Sequence, residues 1–319
     1  MAHQQNSFHG PLADPAAEAG HREHPPRVGF FTDTSVCIGC KACEVACKEW
    51  NSVPEDGLNL LGMSFDNTGM LGADSWRHVA FIEQPRPPGQ PEAGQPAPPA
   101  APVDLGMPSS QLPGRTPGEH PRAGFRWLMA SDVCKHCTHA ACLDVCPTGA
   151  LVRTEFGSVV VQSDVCNGCA YCVSACPFGV IDRREDDGRA WKCTMCYDRL
   201  RGGLEPACAK ACPTDSIQFG PLDELRAAAA ARLTELQEAG EEGARLYGHD
   251  PGDGIGGAGA FFLLLDEPEA YGLPPDPVVT TADLPAMWKW AGVAAAVLAA
   301  GIGAAFAGRS PAGAPWRHG

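Results

Sequence analysis

Residues 134–177 read CKHCTHAACLDVCPTGALVRTEFGSVVVQSDVCNGCAYCVSACP. Two cysteine runs frame this stretch. Cys134, Cys137, Cys142 and Cys146 are spaced C-x2-C-x4-C-x3-C and followed by Pro147. Cys166, Cys169, Cys172 and Cys176 are spaced C-x2-C-x2-C-x3-C and followed by Pro177. Between them, residues 150–164 alternate in polarity, turn at Phe156-Gly157 and run into Val159-Val160-Val161, a β-hairpin pattern. Similar spacings recur on either side. Upstream, Cys37, Cys40, Cys43 and Cys47 form C-x2-C-x2-C-x3-C. Downstream, Cys193, Cys196, Cys208 and Cys212 form C-x2-C-x11-C-x3-C, closed by Pro213. The four groups use all 16 cysteines of the 319-residue chain.

This spacing suits a cubic [4Fe–4S] cluster, whose four irons each take one thiolate. A C-x2-C-x2-C loop wraps three corners, and the fourth corner takes a cysteine from elsewhere. In two-cluster ferredoxins the last cysteine of each run ligates the other cluster. Proline after that cysteine lacks an N–H and fixes φ, so the chain turns there. Gly39 and Gly168 fall inside loops whose N–H groups must come close to sulfide. The runs at 134–146 and 166–176, joined by a hairpin, predict one two-cluster ferredoxin unit. The first and fourth runs predict a second around it.

Two other readings of the cysteines are weaker. Eight disulfides belong to small secreted domains, and tight C-x2-C-x2-C runs would strain local bridges. Cys₄ zinc sites use two C-x2-C pairs, with no third cysteine in the loop and no Cys-Pro ending. His136 and His139 lie among the cysteines, but the ligand count is complete without them.

The net charge of −14 lacks the basic face a nucleic-acid partner needs, and 44% hydrophobic residues exclude a disordered chain. No basic segment followed by an apolar run opens the sequence, so no signal peptide is expected. Residues 1–27, with His3, His9, His21 and His24, read as a flexible tail. Residues 85–121 are rich in Pro, Gly, Ala and Gln and read as a disordered surface insert, bounded at 85–124. Leu222, Leu225, Leu233 and Leu236 predict an amphipathic helix over 222–239, and residues 261–265 a short apolar strand. Residues 287–308 are apolar apart from Lys289 and long enough to span a bilayer, with Arg309 beyond them and Trp288, Trp290 and Trp316 as interface anchors. Gly292, Gly301 and Gly303 would let this helix pack closely against partner helices. Arg309 and Arg317 after the helix, against Lys289 before it, put the C-terminus inside and the globular part on the outer face. The globular part would then have been exported folded, by a partner bearing the signal.

With these residues in place, the sequence resembles the iron–sulfur β subunit of membrane-bound formate dehydrogenase, within the four-cluster subunits that serve molybdopterin enzymes. The run from Cys37-Ile38-Gly39-Cys40-Lys41-Ala42-Cys43 to Lys48-Glu49-Trp50-Asn51 is similar to that subunit's first motif. So are Asn67-Thr68-Gly69, Ser75-Trp76, Cys176-Pro177-Phe178, Glu205-Pro206-Ala207-Cys208 and the C-terminal helix. The insert at 85–121 departs from the family but lies between ligand groups.

The resemblance implies an α+β fold of two ferredoxin-like two-cluster units with short strands and helices. One unit is built from 28–84 with 186–280, the other from 125–185, and a transmembrane helix follows at 286–308. It also implies four [4Fe–4S] clusters with sixteen iron ligands. The first would be held by Cys37, Cys40, Cys43 and Cys212; the second by Cys47, Cys193, Cys196 and Cys208; the third by Cys134, Cys137, Cys142 and Cys176; the fourth by Cys146, Cys166, Cys169 and Cys172. A catalytic α subunit with molybdenum or tungsten pterin would oxidise formate. Electrons would pass from the first cluster to the fourth and on to a membrane cytochrome b γ subunit that reduces quinone in anaerobic respiration. The chain itself would conduct electrons and carry no catalytic residue. Lys41, Lys48, Lys135 and Lys192 stand beside ligands, where they would raise cluster potentials or merely offset charge and face solvent. The alternative is the equivalent subunit of a hydrogenase or of another molybdopterin oxidoreductase, which shares the four motifs.

Overall fold

The computed structural model describes residues 14–57, 65–85, 125–279, 281 and 284–307. A single turn α1 (Pro15–Glu18) precedes strand β1 (Val28–Asp33), helix α2 (Ala42–Asn51) and the long strands β2 (Arg77–Pro85) and β3 (Phe125–Val133). Then come α3 (Ala141–Asp144), β4 (Leu151–Arg153), β5 (Val159–Val161), α4 (Tyr171–Ala175), β6 (Asp182–Arg183) and β7 (Ala190–Trp191). The chain continues through α5 (Tyr197–Arg201), α6 (Ala207–Lys210), β8 (Ile217–Pro221), α7 (Leu222–Glu238), β9 (Arg245–Tyr247), β10 (Ala260–Leu264) and α8 (Leu284–Ala307). Short strands, short helices and many turns make the α+β architecture expected of ferredoxin-type units.

The sequence Val28-Gly29-Phe30-Phe31-Thr32-Asp33 gives a strand apolar on both faces, and it lies in the middle of a sheet ordered β8-β1-β10-β9. Strand β1 runs parallel to β10 and antiparallel to β8. Successive side chains point to opposite faces, so Phe30 and Phe31 serve different cores. Phe31 joins Phe261, Leu263 and helix α7 through Leu222, Leu225 and Ala229. Phe30 faces Cys43, Cys47, Cys193, Cys208, Trp76 and Val79. The expected apolar strand is therefore β10, and its parallel partner 230 residues upstream is what joins the two ends of the globular fold. Burying each of these Phe and Leu side chains stabilises by about 1.5–3 kcal/mol.

Helix α7 matches its predicted span, and Ala229, fully buried, lets it sit close to the sheet. The hairpin between the cysteine runs is β4–β5, with Gly157 at φ +77 in its turn. Strands β2 and β3 form an antiparallel ribbon registered from Arg77↔Val133 to Pro85↔Phe125. The Pro-rich insert joins its two strands, and residues 86–124 lie outside the described residues, as do residues 1–13 and Arg309, Trp316 and Arg317.

Residues 14–27, expected within a flexible tail, are instead held against the hairpin. Asp14 caps α1 by accepting from the N–H groups of Ala16 and Ala17 at 3.2 Å, and Ala16 is buried. His21 Nε2 donates to the Arg153 carbonyl at 3.0 Å, and His24 pairs with Asp14 at 3.1 Å. Helix α8 is long and apolar enough to cross a membrane, and none of Met287–Ala307 is buried by the rest of the chain. A Cβ added at Gly292, Gly301 or Gly303 would meet open space, so these positions are free for a partner surface.

Candidate iron–sulfur centres

The four cysteine runs share one backbone device. Two residues after the first cysteine of each run, φ is positive: +65 at Gly39, +44 at His136, +72 at Gly168 and +58 at Met195. A left-handed residue here turns the loop back so that successive N–H groups point inward, forming a concave anion-binding nest. Only two of the four positions are glycine. Left-handed φ costs about 1–2 kcal/mol at other residues, so His136 and Met195 are held by their surroundings, and both are buried.

Cysteines distant in sequence converge. Cys37, Cys40, Cys43 and Cys212 line one cavity, completed by Ser131, Pro213 and Thr214. Cys134, Cys137, Cys142 and Cys176 line a second, together with Lys135, His136 and Lys192. The other eight fall into two sets whose members each make a neighbour harder to ionise. Burial above all, then the Cys208 and Cys196 thiolates, pushes Cys47 up to about 12. Burial, then Cys47, Cys134, Cys196 and Cys208, holds Cys193 well above the usual thiol range. Burial, then Cys166, Cys146 and Cys169, pushes Cys172 up to about 11. The groups also adjoin one another. Cys43 feels Cys208, Cys193 feels Cys134, and Cys142 feels Cys172. Cysteines of all four runs thus adjoin one another, and two sets of four share a cavity.

These surroundings fit iron–sulfur clusters. A Cys₄ zinc site gathers its four thiolates on one ion. The cysteines instead ring cavities walled by apolar groups and buried donors. His136 Nδ1 accepts the Val159 N–H at 3.1 Å, so the neutral ring carries its proton on Nε2, which has no protein acceptor. Burial, then Lys192, Arg27 and Arg153, holds this imidazole well below its ordinary range. A buried donor without a partner beside a sulfur-lined cavity is what a cluster's sulfide would satisfy.

Known proteins place this arrangement. Two family models described as 4Fe-4S dicluster domains match residues 36–150 and 125–222. The sequence is 35% identical over 291 residues to the nitrate-inducible formate dehydrogenase iron–sulfur subunit of Escherichia coli, covering 90% of this chain and 84% of that protein. It is 37% identical to the formate dehydrogenase iron–sulfur subunit of Haemophilus influenzae, covering 83% and 73% respectively. The match to the B subunit of the anaerobic dimethyl sulfoxide reductase of E. coli is 34% identical, over only 62% of this chain and 75% of that protein. The protein belongs to the formate dehydrogenase iron–sulfur subunit family. It is an iron–sulfur electron-transfer subunit, and two dicluster domains with 16 cysteines correspond to four [4Fe–4S] clusters.

Within this iron–sulfur subunit the four lysines differ. Lys41 bridges Glu44 at 3.1 Å and Asp66 at 3.2 Å, and Asp66 also meets His78 at 2.7 Å. Lys48 donates to the carbonyls of Pro54 and Asp74 at 3.0 and 2.8 Å. Lys135 and Lys192 are fully buried, so the solvent-facing alternative fails for both. Burial opposes the charge on Lys192, but the thiolates of Cys134, Cys142 and Cys193 outweigh it and raise its pKa.

Several groups that serve the sulfurs escaped sequence reasoning. Asn51 Nδ2 donates to the Cys47 carbonyl at 2.9 Å and reaches the Cys196 sulfur at 3.6 Å. Ser131 Oγ lies 3.2 Å from Cys43 Sγ. Thr148 and Thr214 hydroxyls lie 3.7 and 3.9 Å from Cys146 and Cys212. The last pair carried a legible signal, Cys-Pro-Thr in both runs; Ser131, 88 residues from Cys43, carried none.

Proposed function

We propose that the chain relays electrons from a molybdopterin catalytic subunit, with molybdenum or tungsten, that oxidises formate, to a membrane cytochrome b subunit that reduces quinone. A [4Fe–4S] cluster supplies a one-electron couple when bound. In this reading Cys37, Cys40, Cys43 and Cys212 hold the first cluster, and Cys47, Cys193, Cys196 and Cys208 the second. Cys134, Cys137, Cys142 and Cys176 hold the third, and Cys146, Cys166, Cys169 and Cys172 the fourth. The observation that supports it is the pair of cavities lined by Cys37, Cys40, Cys43 and Cys212 and by Cys134, Cys137, Cys142 and Cys176, each joining cysteines from two runs. Cys40 and Cys169, in the two outermost groups, are exposed, with exposed Ile38 near one and exposed Tyr171 near the other. Such surfaces suit contact with an electron donor and an electron acceptor. Helix α8 anchors the chain in the membrane, with the globular part on the outer face.

The test compares two activities of the assembled complex carrying Cys172→Ser. Formate oxidation by an artificial dye, which takes electrons early, is expected to survive, while quinone reduction falls at least tenfold. Equal loss of both in properly assembled enzyme overturns the electron order. Removing residues from 287 onward is expected to free the chain from membranes with its iron unchanged. Retention on membranes through partners alone would show that α8 is dispensable as an anchor.

A further inference from the structure

Arg77 opens strand β2 and is fully buried, with its guanidinium over the Phe30 ring at 5.0 Å. Nη1 donates to the Ser131 carbonyl at 3.3 Å and to Ser131 Oγ at 3.0 Å. Nε and Nη2 are buried and have no partner. Among the described residues no carboxylate pairs with this cation; Phe30 beneath it shares one core with Cys43, Cys47, Cys193 and Cys208, the sulfurs nearest to it in charge. A buried charge without a counter-ion is strongly destabilising, and so is a buried donor without an acceptor. Both penalties disappear if anionic clusters occupy the space beside it. Cys43 belongs to the first ligand group and the other three to the second, so Arg77 stands at their junction. Ser131 ties it further to the first group, because the hydroxyl that receives Nη1 also contacts Cys43 Sγ at 3.2 Å.

We propose that Arg77 is the shared counter-charge and hydrogen-bond donor of the first and second clusters, raising both potentials together. The inference rests on the ligand groups given above. Positive charge and hydrogen bonds near cluster sulfur stabilise the reduced form. Because one guanidinium acts on both clusters, it raises the potential of the pair while leaving the step between them nearly level.

The test uses the full chain loaded anaerobically with iron and sulfide, followed by EPR-monitored redox titration. Arg77→Met is expected to lower two of the four midpoint potentials, each by about tenfold in its one-electron equilibrium constant, ~59 mV. Arg77→Lys keeps the charge and should lower them less. Separate Cys43→Ser and Cys208→Ser variants identify the signals of the first and second clusters. If those two variants perturb the same signal, the ligand grouping fails. If they perturb different signals and neither moves in a fully loaded Arg77→Met chain, the role of Arg77 fails. Should Arg77→Met not retain its clusters, wild-type chain labelled with ¹⁵N-arginine decides. Pulsed EPR is expected to show a guanidinium nitrogen coupled to the reduced first or second cluster, and absence of any coupling overturns the inference.

Discussion

The ligand sets proposed for the first and second clusters are neighbours built on opposite principles. In the first, Cys40 is exposed, Cys37 and Cys212 are half-buried, and Cys43 alone is buried, in the same core as Phe30. In the second, Cys47, Cys193, Cys196 and Cys208 are all buried. The first is wrapped by a glycine-bearing C-x2-C-x2-C loop at the surface, and the fourth group, with exposed Cys169, repeats that design. The second is assembled from two distant runs, with non-glycine Met195 forced to positive φ. An outer group can be wrapped locally and can exchange electrons with a partner. An inner group depends on the whole fold being in place, and the fold in turn depends on it, because Cys47, Cys193 and Cys208 belong to the same core as Phe30 and Trp76.

The largest effect follows directly. Cys193→Ala should abolish the second cluster and unsettle its neighbours, leaving at most half of the roughly sixteen irons that one thiolate per iron implies. Cys40→Ala should lose about one iron and leave a three-iron cluster, since solvent reaches that corner. Iron analysis and EPR of the two variants check this. Equal losses would remove the distinction between outer and inner groups.

The two glycine loops sharpen it. At Gly168 an added Cβ would sit 2.3 Å from the Gly188 carbonyl oxygen, which is backbone and does not yield. At Gly39 it would meet Phe81 and Met129 side-chain ends at 2.6 Å. Both positions have positive φ, worth about 1–2 kcal/mol against alanine. Gly168→Ala should therefore cost more cluster retention than Gly39→Ala, measured as the rate of iron release to a chelator. The reverse order would mean that the Phe81 and Met129 side chains are more rigid than the turn at Gly188.

These loops were legible in the sequence because ligand spacing is a local property. The sixteen cysteines, the hairpin, helix α7, strand β10 and the apolar C-terminal helix all announce themselves within a few residues. The β2–β3 ribbon did not, since its strands are separated by the insert and its alternation at Val79-Ala80-Phe81-Ile82 is weak. The parallel pairing of β1 with β10 was equally hidden, because register between distant strands leaves no local pattern. The same holds for Arg77 and Ser131, which reach the sulfurs only through that ribbon. Order in residues 14–27 was missed because His21 and His24 read as solvated, whereas His21 finds a carbonyl on the hairpin.

A further prediction concerns the protein without metal. Burial above all raises Cys43 and Cys172 to about 11 and Cys47 and Cys142 to about 12. An unfolded thiol titrates near 8.5. A group whose pKa is raised by folding contributes stability that is fully present below its unfolded pKa and lost as pH rises through the folded value. Metal-free protein should therefore hold its melting temperature up to about pH 8 and lose it progressively from there to about pH 12. Loaded protein should show no such decline over the lower part of this window, because its sulfurs are already iron-bound thiolates. Parallel thermal melts across this range check the sign, and a metal-free protein that gains stability with pH would contradict it.

The smallest effect belongs to the outer groups alone. Cys146 and Cys212 are each followed by Pro-Thr, and each threonine hydroxyl approaches its cysteine sulfur, at 3.7 and 3.9 Å. In the other two runs Lys48-Glu49 and Pro177-Phe178 occupy these places, so no hydroxyl is available there. A hydroxyl bonded to a thiolate ligand favours the reduced cluster, but at these distances, and partly exposed, the bond is weak. Thr148→Val and Thr214→Val should lower the potentials of the fourth and first clusters respectively, each by under about 30 mV against the 59 mV that marks a tenfold change. The second and third clusters should not move. Val matches Thr in shape, so a shift confined to one outer cluster per variant isolates the hydroxyl. A shift spread over all four would mean that the substitution disturbed the fold instead, and these threonines would then have no tuning role of their own.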